Sequence, residues 1–246
     1  MIRRATLQAT LGGLEGVFIV NGVPLTPWTE APTATDCANS RVAQWLRRGR
    51  NRLAAIIQRG RSSGPTRLDA TLFDERGNAL ATLERSADAA ANGVVEHPFD
   101  LADGPASRLW EDADVLDDVD AHRNEVGAAL SQIRCCILDR DTPSLLRLRA
   151  YALRDAARLQ PELFQGEDWT GSARAVHDEI LSDRALHMFP VPIEAIRCEV
   201  VGDGRILSVW SGERTPPIRF VDDDGDCAFS MELHFARIGG TLRWVR

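Results

Sequence analysis

Trp110–Gln160 reads WEDADVLDDVDAHRNEVGAALSQIRCCILDRDTPSLLRLRAYALRDAARLQ. Within it Val115, Leu116, Val119, Val126, Leu130, Ile133 and Ile137 recur at three- and four-residue steps. That spacing places side chains on one face of a helix, and the apolar content makes the face core. Asp114, Asp117, Asp118, Asp120 and Glu125 fall on the other side, with acids crowding the first turns, where the helix macrodipole favours negative charge. Asp139–Asp141 ends the run, and Thr142-Pro143 reads as the N-cap and first residue of a second helix. Leu145, Leu148, Ala152, Ala156 and Leu159 form its apolar stripe, flanked by Arg147, Arg149, Arg154 and Arg158 and closed by Pro161. The short joint predicts an antiparallel helix pair.

Upstream, six short strands precede residue 85. Residues 4–10 alternate, Gly16–Val20 is β-branched and aromatic, and Asn21-Gly22 is a strong hairpin signal leading into a third strand. A Pro- and Thr-rich loop spans Thr26–Thr35, Val42–Leu46 leads into an arginine-rich segment at 47–52, and a strand resumes at Leu53–Ile57. Arg67–Phe73 and Ala79–Leu83 form a second hairpin around Glu75–Asn78. Ser86–Pro105 has no clear period and reads as a linker or long loop.

Downstream, Ser172 reads as the N-cap of a shorter helix with Ala173, Val176, Ile180 and Leu181 on one face, and Pro190 and Pro192 follow it. From Ala195 the period changes to two, giving Ile196–Val201, Ile206–Trp210, Pro217–Val221, Cys227–Ala236 and Thr241–Val245, punctuated by Asp203-Gly204, Asp224-Gly225 and Gly239-Gly240. The expected fold class is α+β: an N-terminal antiparallel β-sandwich, then a helical pair plus a curved antiparallel sheet. The expected domains are residues 1–86, a linker at 87–109, and residues 110–246.

Two resemblances accompany this reading. Val20-Asn21-Gly22-Val23-Pro24 followed by Trp45–Leu53, with its leucine, glycine, x, asparagine, x, leucine segment, resembles jelly-roll β-sandwich modules over about eighty residues. Such modules often bind sugars or proteins. Helices first and strands last over residues 110–246, ending in Phe235–Arg246, resembles the NTF2-like cone fold, a family that includes enzymes and plain binding scaffolds.

Composition narrows the chemistry. All 29 basic residues are arginine, so neither a Walker lysine nor a side-chain Schiff base can form. The Arg- and Ala-rich usage suggests a bacterial source with a GC-rich genome. The net charge of −7 hides a gradient: 10 arginines against 3 acids in residues 1–67, 6 against 16 in 68–140, and 13 against 17 in 141–246. The five cysteines, at 37, 135, 136, 198 and 227, show no metal-ligand spacing and read as reduced thiols. With no apolar run of membrane-spanning length and no signal-peptide core, the expected address is cytoplasmic.

Asp222-Asp223-Asp224-Gly225-Asp226 alternates carboxylates but lacks the glycine and distant glutamate of a calcium loop, so it reads as a hairpin turn. The Arg47–Arg61 cluster lacks interleaved aromatics, and the chain is acidic, which argues against a nucleic-acid binder. No histidine pair among residues 97, 122, 177, 187 and 234 has helical metal-ligand spacing, and no metal or cofactor is expected. The leading expectation is a non-catalytic interaction protein, in concrete form an immunity-type protein that neutralises a basic toxin. Its expected partner surface is acidic: Glu111, Asp114, Asp117, Asp118 and Asp120. The alternative is a small-molecule binder or enzyme whose pocket uses Trp210, Glu232 and His234, the last two as an acid–base pair on one strand face.

Overall fold

Asn21 and Gly22 adopt positive φ, 50° and 80°, and join β2 (Leu14–Val20) to β3 (Val23–Pro24). Two such residues in succession match a hairpin turn to the right-handed twist of its strands. The computed structural model describes residues 2–25, 35–39, 42–60, 66–85, 92–105, 107–116, 118–162, 169–183, 186–212 and 215–246, with the backbone alone at 35–39, 119 and 169. The Pro- and Thr-rich loop at 26–34, Cys37 as a side chain, and Asp117 lie outside this description. The fold is α+β, and every ladder between named strands is antiparallel. The chain divides into two units, Met1–Ser107 and Arg108–Arg246.

The first unit holds two four-stranded sheets. One has the order β4-β1-β6-β7, from Thr35–Asn39, Ala5–Gly12, Arg67–Asp74 and Ala79–Arg85; the other is β3-β2-β5-β8, with β5 at Gly49–Arg59 and β8 at Gly93–Leu101. Each sheet buries alternate residues: Leu7, Ala9, Leu11, Leu68, Ala70, Leu72, Ala81 and Leu83 from one, and Phe18, Val20, Leu53, Ala55, Ile57, Phe99 and Leu101 from the other. This period-two burial is what a two-sheet core requires.

Two expectations change here. The segment read as a linker, 87–109, carries β8, whose ladder to β5 runs from Gly49↔Leu101 to Ile57↔Gly93. Its residues are mostly exposed, so they show no alternating period; β8 is an edge strand, where the missing N–H of Pro98 is tolerated. The strand expected to resume at Leu53–Ile57 is also longer: β5 starts at Gly49, inside the arginine-rich segment, after a 3-10 turn at Ala43–Trp45.

The motif that carried the jelly-roll resemblance has a structural explanation. Asn21 and Asn51 are each 1% exposed. Asn21 Nδ2 donates to Trp45 O and to Asn51 Oδ1, both at 2.8 Å, and its Oδ1 accepts from Arg52 N at 2.9 Å. Asn51 Oδ1 also accepts from Arg47 N at 2.9 Å, while its Nδ2 donates to Arg47 O and Gly49 O at 2.8 Å. Two amides thus satisfy the irregular backbone where the chain enters β5.

In the second unit the sheet β10-β11-β14-β15 comprises Ile196–Val201, Ile206–Ser211, Leu233–Ile238 and Thr241–Trp244; a second sheet, β13-β12-β9, comprises Cys227–Met231, Ile218–Val221 and His187–Met188. The helices are α1 (Leu109–Asp112), α2 (Val119–Leu138), α3 (Thr142–Leu148), α4 (Ala150–Leu159) and α5 (Trp169–Ser182). Val126, Leu130, Ile133 and Ile137 of α2 pack with Leu207, Val209, Leu233, Phe235 and Trp244 of one sheet and Ile218, Phe220 and Met231 of the other. Four residues of the helix face expected from spacing therefore form the core of this unit; Leu116 joins them from the segment before α2, whereas Val115 lies outside the helix and is 56% exposed. No helix among the described residues is long and apolar enough to cross a membrane.

Four local expectations are corrected. Asp141, not Thr142, caps α3, its carboxylate accepting from Ser144 N at 3.0 Å, and Thr142 is buried; both residue types cap well, so adjacency left the choice to geometry. The second helix breaks at Arg149 into α3 and α4. Helix α5 already runs at Trp169, upstream of Ser172, and buries Ala173, His177 and Leu181 while Val176 is 54% exposed. The run Cys227–Ala236 divides at Glu232 into β13 and β14, which belong to different sheets.

Candidate functional site

The acidic residues singled out from sequence fall on three local structures and not on one helix face. Glu111 lies in the single turn of α1, where Arg108 approaches it at 3.6 Å and Asp112 at 3.3 Å. After α1 the chain runs as a strap. Ala113 bridges to Ile238 and its carbonyl accepts from the Arg205 guanidinium. Asp114 N donates to Arg237 O at 2.8 Å, and Leu116 N donates to Gly204 O at 2.7 Å. Gly202, at φ +61°, admits this packing: a Cβ there would sit 3.0 Å from the Trp110 ring.

With its backbone pinned, the strap leaves the Asp114 side chain exposed. Asp118 is the N-cap of α2, its carboxylate accepting from Asp120 N at 2.9 Å, and Asp120 pairs with Arg123 at 2.8 Å. Exposure remains high, 71% for the Glu111 side chain and 78% for Asp120. The structure thus gathers Glu111, Asp114, Asp118 and Asp120 onto exposed positions of one short segment.

The residues of the alternative pocket are placed differently. Ser208 pairs with His234 in register, and Trp210 lies two residues beyond Ser208, so Trp210 and His234 share a sheet face. That face alternates with the one carrying Leu207, Val209, Leu233 and Phe235 against α2. Glu232 is exposed at the joint between β13 and β14, whereas His234 is 4% exposed with both ring nitrogens sealed from solvent. Burial, reinforced by the Arg246 charge, pushes His234 down to about 3, so it is a neutral imidazole at physiological pH.

That shift has a sign. Between about pH 3 and 6.5 the unfolded chain binds a proton at His234 that the folded chain does not, so stability falls as pH drops below 6.5. The loss approaches about 1.4 kcal/mol per pH unit. Urea unfolding between pH 6 and 5 is expected to show this slope, and His234→Asn is expected to flatten it by about 1 kcal/mol per unit.

A second set of polar groups, not anticipated from sequence, is buried where α1, α4 and the residues after β15 meet. Asp155 is 0% exposed; its Oδ2 accepts from Arg246 Nη2 at 2.5 Å, its Oδ1 accepts from Arg108 N at 3.0 Å, and Arg158 approaches at 3.5 Å. Nearby, Tyr151 Oη donates to Asp112 Oδ2 at 3.0 Å. Burial, then the Asp155 charge, holds the Tyr151 phenol far above its usual range, so it stays protonated. A signal was available: Asp155 falls three residues after Ala152 and four before Leu159, inside the apolar stripe of α4. An acid in a buried stripe implies a buried cation to meet it.

Two of the thiols are muted. Burial pushes the thiols of Cys136 and Cys198 up, disfavouring thiolate. In the turn at 222–226 the Asp222 carboxylate accepts from Asp224 N and Asp226 N, so it serves its own turn. No group of His, Cys, Asp and Glu able to hold a metal ion occurs among the described residues. No family model, curated protein or solved structure matches the chain.

Proposed function

We propose that the chain is a non-catalytic protein-binding protein that receives a basic protein partner on the segment Glu111–Asp120. The observation that carries this reading is the pinned strap: Asp114 and Leu116 are fixed by backbone hydrogen bonds to Arg237 and Gly204 while the carboxylates around them stay exposed. A preorganised row of exposed charge steers association and sets register at low ordering cost. The sealed His234 and protonated Tyr151 favour this reading over acid–base catalysis. Its concrete form is a bacterial cytoplasmic immunity-type protein that masks a basic toxin. The cone-like organisation of residues 110–246 would then serve as scaffold, supported by the order of helices before antiparallel strands.

The test is calorimetric titration together with stopped-flow association, at 50 and 200 mM salt, against any basic protein encoded beside this chain's gene. Glu111→Gln, Asp114→Asn and Asp120→Asn together are expected to weaken binding about tenfold, with most of the loss in the association rate. Asp118 is left intact because it caps α2. Unchanged affinity in the triple variant, or affinity indifferent to salt, would overturn the proposal.

A further inference from the structure

Among the described residues, helix α5 packs on α3 and α4 through an apolar contact and a polar one, and Leu181 near its end joins the main core of this unit. The apolar contact joins Ala173 to Leu146 and Leu153. The polar contact is His177, 5% exposed and one turn beyond Ala173 on the same face. Its Nδ1 lies 2.7 Å from Ala173 O, so Nδ1 carries the hydrogen and donates to that carbonyl. Its Nε2 lies 2.6 Å from Arg149 Nη1 and must accept, because a guanidinium has only donors. Arg149 sits at the break between α3 and α4, with its guanidinium 4.8 Å from the Trp244 ring centroid.

This geometry tolerates one protonation state. A proton on Nε2 would meet the Arg149 donor at hydrogen-bond distance, placing two cations in contact in a buried site. We propose that His177 and Arg149 form an acid-sensitive latch: mild acidification protonates His177 and detaches α5 from α3 and α4 while the sheets of this unit stay paired. This stands independently of the partner-binding reading.

Among the described residues, the charges around the latch do not relieve the conflict. From the α3–α4 break comes Arg149, which disfavours the imidazolium, and from α5 itself comes Asp178, which favours it only weakly. On α3, Arg147 is exposed and turned to Ser144, with Asp141 committed to the cap. On α4, Asp155 is committed to Arg246 and Arg108, Tyr151 to Asp112, and Arg154 is exposed and turned to Ala150 O. Burial acts in the same direction as Arg149 and is the larger effect.

Hydrogen exchange at pH 7.5 and 5.5, corrected for intrinsic rates, tests the latch on the full chain. Peptides within residues 172–182 are expected to lose about tenfold in protection, the factor that protonation one unit below an unfolded-state value near 6.5 supplies. Peptides covering 206–211 and 233–238 open only with the unit as a whole, so they are expected to stay better protected than α5 at both pH values and to keep the acid sensitivity that His234 imposes when His177 is replaced. His177→Gln can still donate to Ala173 O and accept from Arg149, and is expected to abolish the response of α5. Should that variant fail to fold, Arg149→Gln removes the opposing cation and is expected to shrink the response of α5 without abolishing it, because burial is the larger effect. Equal protection of α5 and the strands at both pH values, a pH-indifferent α5, or a wild-type response in the folded variant would overturn the proposal.

Discussion

Replacing Asp155 by alanine is expected to destabilise the Arg108–Arg246 unit by about 3–5 kcal/mol, the range for breaking a buried ion pair from one side. The carboxylate is 0% exposed and faces an Arg246 side chain that is itself 8% exposed. Removing it strands a guanidinium in the interior and withdraws the acceptor of Arg108 N, at the point where the chain enters α1. For a unit of this size the loss lowers the melting temperature by about 10 °C. Calorimetry or urea unfolding checks it, with Arg158→Ala as the comparison. Arg158 touches the same carboxylate but is 43% exposed, so its removal is expected to cost less than about 1 kcal/mol. Equal losses from the two variants would mean that the pairing, and not the burial, sets the energy.

The second large effect is expected at Asn51. Asn51→Ala removes four hydrogen bonds and leaves Arg47 N, Arg47 O, Gly49 O and one Asn21 amide hydrogen without that partner in the interior of the first unit. Each stranded buried group costs about 1–3 kcal/mol when water cannot reach it, and partial relaxation brings the expected total to about 3–4 kcal/mol. Gln58→Ala, which removes an exposed hydrogen bond to Glu15, is expected to change stability by less than about 0.5 kcal/mol. Equilibrium urea unfolding compares the two. Asn51→Asp is a sharper probe of the same pair of amides: it keeps the acceptor and, when protonated, one of the two donors, so it is expected to fall between wild type and alanine at low pH and to worsen as the acid ionises in the buried site.

What could be read from the linear chain follows from which interactions are local. Val126, Leu130, Ile133 and Ile137 declare a buried helix face through spacing alone, and α2 buries them. Asn21-Gly22 declares a turn because few other residue pairs adopt two successive positive φ values. The cap of α3 was misplaced by one residue because Asp141 and Thr142 are both good caps, and only the Ser144 hydrogen bonds decide between them. β8 shows no period in the sequence because an edge strand exposes most of its residues, and its place at the edge is decided only by the sheet. For the candidate sites, the exposed acids were visible as composition, whereas their division among α1, a strap and an N-cap was not.

The sequence by itself determined the α+β class, the apolar face of α2, the hairpin at Asn21-Gly22 and the exclusion of lysine chemistry, because each follows from residue type and near-neighbour periodicity. Only the tertiary structure decided that β13 and β14 part at Glu232 into separate sheets, that His234 is sealed, that Asp155 meets Arg246, and that His177 faces Arg149. Each of these rests on partners 28 or more residues apart in the chain, or on burial that many elements create together. The pattern within a strand or helix says which face is buried; it carries no information on which distant group will occupy the space opposite.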